Sequence, residues 1–85
     1  MRKDPTPQDA AQLLAHNGAT PQDYVLFRPE DESPWWICRV RADGGLEPFT
    51  VEDEELMDLC RMVLLTEGAR RFTSVLALQD ALGRA

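Results

Sequence analysis

Five carboxylates crowd one short stretch, Glu52-Asp53-Glu54-Glu55 followed by Asp58. Acids at that density are the raw material of a divalent-cation site or a general acid–base pair. Their spacing argues against both. On a helix Glu54 and Asp58 share a face, whereas Asp53 and Glu55 diverge from it, and no second carboxylate-bearing motif closes a coordination shell. The same acids have a simpler role at a helix start, where each complements the positive dipole end by roughly 0.3–1 kcal/mol. Asp58 can also pair with Arg61 at i,i+3.

Nucleophilic chemistry has little to stand on. His16 is the single histidine, so zinc ligation and serine-triad chemistry lack a partner for it. Ser33, Ser74 and the threonines have no histidine base in any recognisable arrangement. Cys38 and Cys60 are the only cysteines. They are far apart, in no CxxC or ligand-like pattern, and read as reduced, small, buried groups. Gly44-Gly45 is too short for a phosphate cradle and precedes a strand rather than a helix. The expectation is a protein that is not an enzyme and uses no cofactor or metal.

Binding chemistry is better represented. The run Glu32-Ser-Pro-Trp-Trp-Ile-Cys-Arg-Val-Arg-Ala-Asp-Gly-Gly45 places two adjacent tryptophans at the head of a β-like segment. Neighbours on a strand point to opposite faces. Trp36, Cys38 and Val40 therefore make one apolar face, expected inside. Trp35, Ile37, Arg39 and Arg41 make the other, apolar at the start and cationic at the end; the first or the last helix could cover Trp35 and Ile37, which leaves Trp35 open between core and contact surface. A strand face with Trp and Arg suits a protein-interface hot spot. It also suits base stacking with phosphate contact in single-stranded nucleic acid.

Charge separates these two readings. The net charge is −6. Residues 1–29 balance, residues 30–58 carry ten acids against Arg39 and Arg41, and residues 59–85 carry two acids against four arginines. The central acidic block repels phosphate backbones and steers toward basic partners. Lys3 is the only lysine, and arginine without lysine favours bidentate or stacked contacts, including contacts to protein carboxylates.

The elements that must position these residues follow from local signals. Thr6-Pro7-Gln8-Asp9 recurs as Thr20-Pro21-Gln22-Asp23. In each copy the threonine can cap, the proline fits the first helical position and the acid faces the positive helix end. The first copy opens a helix over Pro7–His16, with Ala10, Leu13 and Leu14 on one face and a stop at Asn17-Gly18. The second is expected to make one turn before the strand-like Tyr24-Val25-Leu26-Phe27. Residues 28–34 read as a proline-bounded loop. A second strand follows from Trp35 to about Arg41. A type I′ hairpin at Asp43-Gly44 then leads into a short edge strand, Leu46 to Phe49, marked by Pro48.

Thr50 is expected to cap the next helix with Asp53 at its third position. Leu56, Leu59, Cys60, Val63 and Leu64 form that helix's apolar stripe, which should cover the Trp36 face. Gly68 stops it. A last helix starts near Thr73 or Ser74, with Val75, Leu78 and Leu82 as its inner face.

The resulting fold class is α+β: an N-terminal helix, a three-stranded antiparallel β-meander, and two C-terminal helices packed on the sheet. At 85 residues this is a single small domain spanning 1–85, with residues 1–5 expected to fray. No stretch reaches the apolar length of a membrane span, and the start MRKDPTPQD has no secretory signal. A cytoplasmic location is therefore expected, without membrane contact. The functional expectation is an adaptor, regulator or inhibitor that docks onto a protein, possessing a basic surface or being a second copy. Its anchors would be Trp35, Ile37, Arg39 and Arg41, flanked by the acidic loop Glu30-Asp31-Glu32. The alternative is a nucleic-acid-binding accessory module using Trp35, Arg39 and Arg41, and a minor variant is an acidic mimic that occupies a partner's nucleic-acid site.

Overall fold

The computed structural model describes residues 4–17 and 21–83 of the chain. It is an α+β fold of three α-helices and a four-stranded mixed sheet. The first helix, α1 (Pro7–His16), starts as its sequence demands. The Thr6 side chain accepts from the Asp9 amide and the Asp9 carboxylate accepts from the Thr6 amide, a reciprocal capping box. The second Thr-Pro-Gln-Asp copy gives one 3-10 turn, Pro21–Asp23, and then β1 (Tyr24–Phe27). Its capping threonine, Thr20, lies outside the described residues, as do Gly18 and residues 1–3.

Strands β2 (Trp36–Val40) and β3 (Leu46–Pro48) complete the antiparallel part. The hairpin between them differs from the expected type I′ turn. Gly44 adopts φ +86°, but no residue other than glycine has positive φ among the described residues, so Asp43 keeps a negative φ. The Gly44 amide donates to the Arg41 carbonyl at 3.0 Å and the Arg41 amide to that of Gly45 at 2.8 Å. This three-residue loop suits a single left-handed position better than two. Asp43 contributes through its side chain, which accepts from the Gly45 amide at 2.8 Å.

The long helix α2 spans Glu54–Glu67. Its cap is Asp53, whose carboxylate accepts from the Leu56 amide at 3.1 Å, rather than Thr50. The helix ends at Gly68, φ +86°. A further strand, β4 (Arg70–Phe72), then pairs parallel with β1, and α3 (Val75–Gly83) follows. The expected meander is thus three of the four strands of a mixed sheet ordered β3-β2-β1-β4, with β4 added beyond β1. The two antiparallel pairings and the one parallel pairing make β3 and β4 parallel. Helix α2 therefore carries the chain from one edge of the sheet to the other, and the handedness preference of such a crossover selects the face it covers.

That face is the one bearing Tyr24, Leu26 and Ile37. Register places Leu26 opposite Ile37 and Tyr24 opposite Arg39, and these join Ala10 and Leu14 of α1 with Met57, Cys60 and Leu64 of α2 in one core. Tyr24 reaches furthest: its hydroxyl donates to the Leu14 carbonyl at 3.3 Å, and its ring meets that of Phe49 edge-on at 5.5 Å.

Leu64, 1% exposed, is one of the fully buried aliphatic side chains of this core. Leu64→Ala is expected to cost about 2–5 kcal/mol, read as a lowered urea midpoint. Burial also raises the thiols of Cys38 and Cys60 above 9.0 and the Tyr24 phenol above 10.0, with Arg39 partly opposing the last. The folded chain holds these protons after the unfolded chain has lost them, so the stability they contribute is complete at neutrality. It is expected to fall as pH climbs past 9.0, which urea midpoints across alkaline pH would record.

Candidate docking surface

Strand β2 carries the residues in question, and the structure inverts the expected assignment of its faces. Ile37 is 3% exposed and Trp35 packs against the same core, beneath α2. Trp36, expected inside, is 56% exposed. The reason is register: residues opposite each other across an antiparallel pair share a face, and Trp36 lies opposite Phe27 rather than Leu26. Its row belongs to the face that α1 and α2 leave alone.

The seven residues expected to form one binding surface are accordingly dispersed. Ile37 is core. Trp35 is half-buried, with the Arg28 guanidinium over its ring at 4.6 Å, and its carbonyl accepts from Arg61 Nε. Arg61 also pairs with Asp58, so the i,i+3 pair read from the sequence serves to hold an arginine against β2. Arg39 faces Glu47 at 3.7 Å and Arg41 faces Asp43 at 3.4 Å, so both cations have a carboxylate beside them. Glu30, Asp31 and Glu32 are all exposed in the loop after β1. That loop turns on itself, the Ser33 amide donating to the Glu30 carbonyl at 3.0 Å.

The open apolar surface is elsewhere. On the second sheet face, Trp36, Phe27 and Phe72 form one row across β2, β1 and β4. Phe27 meets Trp36 edge-on at 6.0 Å. The next row is Cys38, Val25 and Arg70. This face is closed over β1, where Val25 is fully buried and Phe27 nearly so, and open over β2 at Trp36. At the same end of the sheet, three residues past Phe72, α3 begins with Val75, 51% exposed, and Leu76, 79% exposed. Val75 was expected on the inner face of its helix. The half-buried residues of α3 are instead Leu78 and Ala81, while the Leu82 side chain lies outside the described residues.

A signal for this surface exists in the sequence. Val75-Leu76-Ala77-Leu78 is four apolar residues in a row, and on a helix they wrap about 300° around the axis, so one inner face cannot take them all. For Trp36 no comparable signal exists, because alternation separates two faces without saying which is covered. The exposed groups offer contact chemistry: an indole on β2, two aliphatic side chains at the start of α3 and an acidic loop after β1. Among the described residues no group of three or more His, Cys, Asp or Glu could hold a metal ion, and no helix is long and apolar enough to cross a membrane.

The two tryptophans should therefore behave oppositely. Trp35→Ala, which removes a half-buried ring packed on the core, is expected to cost about 2–3 kcal/mol, and Trp36→Ala well under half of that. Chemical denaturation of the two variants checks this, and similar losses would mean that the face assignment is wrong. Compared with protein-family models, with curated proteins and with solved structures, the chain matches none.

Proposed function

We propose that this chain is a small, acidic, non-enzymatic protein-binding module, acting as an adaptor, regulator or inhibitor. It docks through the end of the sheet that carries Trp36, Val75 and Leu76. The observation that carries the reading is Trp36, an indole left more than half exposed on the outer face while its neighbour Trp35 is packed. Leaving a tryptophan in water forgoes about 2–3 kcal/mol of burial, a sizeable part of a small domain's total stability. A partner that covers the ring recovers it, and tryptophan is among the residues enriched at binding hot spots.

Charge favours a partner with a basic surface. The exposed Glu30-Asp31-Glu32 loop joins the Phe27 end of β1 to the Trp36 end of β2, so it stands beside the apolar patch as an acidic rim. Rim charges of this kind act mainly on the rate and selectivity of encounter. Nucleic-acid binding has less support. Arg39 and Arg41 each lie beside a carboxylate, and Trp35 offers no free stacking platform, its ring being under Arg28.

A photo-reactive phenylalanine analogue at position 36 tests the reading in a lysate of the source cell. An adduct to a protein is expected from position 36 and not from position 62 on the outer side of α2. No adduct from position 36 would sink the proposal. With the partner in hand, Trp36→Ala should weaken binding by at least about 2 kcal/mol, roughly thirtyfold. Reversing Glu30, Asp31 and Glu32 to arginine should slow association about tenfold at low salt.

A further inference from the structure

The helix-covered face of the sheet is not filled to its β3 edge. Arg39 of β2 and Glu47 of β3 lie opposite each other there, in the row that starts at Tyr24 of β1. Together with Leu13 and Asn17 from the end of α1, and Phe49 and Thr50 from the segment leading to α2, they line a depression of about 390 Å³. Pockets for small ligands run from about 300 to 1,000 Å³ and combine apolar walls with a few converging polar groups. Here Leu13 and Phe49 are the apolar walls. Asn17 is pinned by its own bond to the Leu13 carbonyl, 2.8 Å from Nδ2, and Thr50 is not the cap of α2.

The charges in this depression are of both signs and close together. Arg39 Nη1 lies 3.7 Å from Glu47 Oε1, and both side chains are partly open to solvent. The separation exceeds hydrogen-bonding reach, and a solvated pair of this kind contributes little to stability. Each group therefore keeps its capacity for a closer partner. A guanidinium takes a carboxylate through two parallel N–H bonds, and a carboxylate takes an ammonium. A ligand of one sign would be attracted by one of these groups and repelled by the other. A zwitterion is attracted by both, and having no net charge it is not opposed by the chain's −6.

We propose that this depression binds a free α-amino acid with an apolar side chain. Its carboxylate lies on Arg39, its ammonium on Glu47, and its side chain against Leu13 and Phe49. Only a free amino acid carries both charged groups on one carbon, matching two partners so near each other, because in a peptide the ends are separated by the chain between them. The site is on the opposite face of the sheet from Trp36. The inference thus goes beyond the docking reading and does not rest on it.

The test is a titration of the isotope-labelled full chain, followed by nuclear magnetic resonance, with L-leucine, L-methionine and L-phenylalanine as probes. Saturating shifts are expected at the amides of Arg39, Glu47 and Phe49 and at the Arg39 side-chain N–H, and not at the Trp36 indole. Two analogues of leucine separate the charges: 4-methylpentanoate lacks the ammonium and 3-methylbutylamine lacks the carboxylate. Each should bind at least about tenfold more weakly than leucine, the worth of one hydrogen bond to a charged group. Arg39→Gln and Glu47→Gln should each weaken leucine by a similar factor. Arg41→Gln, outside the depression, should leave it unchanged.

No saturating shift with any of the three amino acids would overturn the proposal. So would an analogue that binds as tightly as leucine, or glutamine variants that keep the wild-type affinity. The analogue comparison uses the wild-type chain and holds whether or not the variants fold. None of these outcomes bears on the adduct expected from position 36.

Discussion

Burial of β1 on both faces is the constraint on which the rest of the molecule depends. Tyr24 and Leu26 point toward α1 and α2, Val25 and Phe27 point the other way, and all four are buried. In a chain of 85 residues this requires a strand on each side of β1 and cover above and below it. Strands β2 and β4 supply the flanks, and the two longer helices supply one cover. The other cover is incomplete, closing over β1 and stopping short of Trp36.

The neighbouring strand inherits its asymmetry from this arrangement. Position 37 falls opposite Leu26 and becomes core, whereas position 36 falls opposite Phe27 and becomes surface. The same pairing sets Arg39 opposite Tyr24 on the helix side, where it meets Glu47 of β3 and lowers the phenol's upward shift. The two arginines that look like binding groups in the sequence are absorbed into local pairs within the β2–β3 hairpin. Among the described residues no carboxylate pairs with Arg70, which lies on the outer face of β4, and Arg71 donates to the Leu65 carbonyl near the end of α2.

Electrostatics across the chain then has a spatial meaning. The acidic middle third supplies the Asp53 cap, the Asp58–Arg61 pair that holds Arg61 to the Trp35 carbonyl, and the exposed 30–32 loop. Most of its carboxylates are thus structural or solvated, and only the loop is left beside an apolar surface. Function of the docking kind would use a small fraction of the charge that makes the sequence look so acidic.

Where a residue's neighbours in the chain suffice to explain its conformation, the sequence was enough. The Thr6–Asp9 capping box, the α1 boundaries, the single turn before β1, the apolar stripe of α2 and its glycine stop all arise within a few residues of one another. Strand β4 was not legible, since three residues rich in arginine carry no strand pattern and pair only because β1 lies beside them. Its presence turns α2 into an edge-to-edge crossover. That long-range pairing decided which face of β2 the helices cover, hence which tryptophan is core and which is surface. Period-two alternation makes the two faces of a strand distinguishable, but only the register and handedness of the whole sheet say which one meets water.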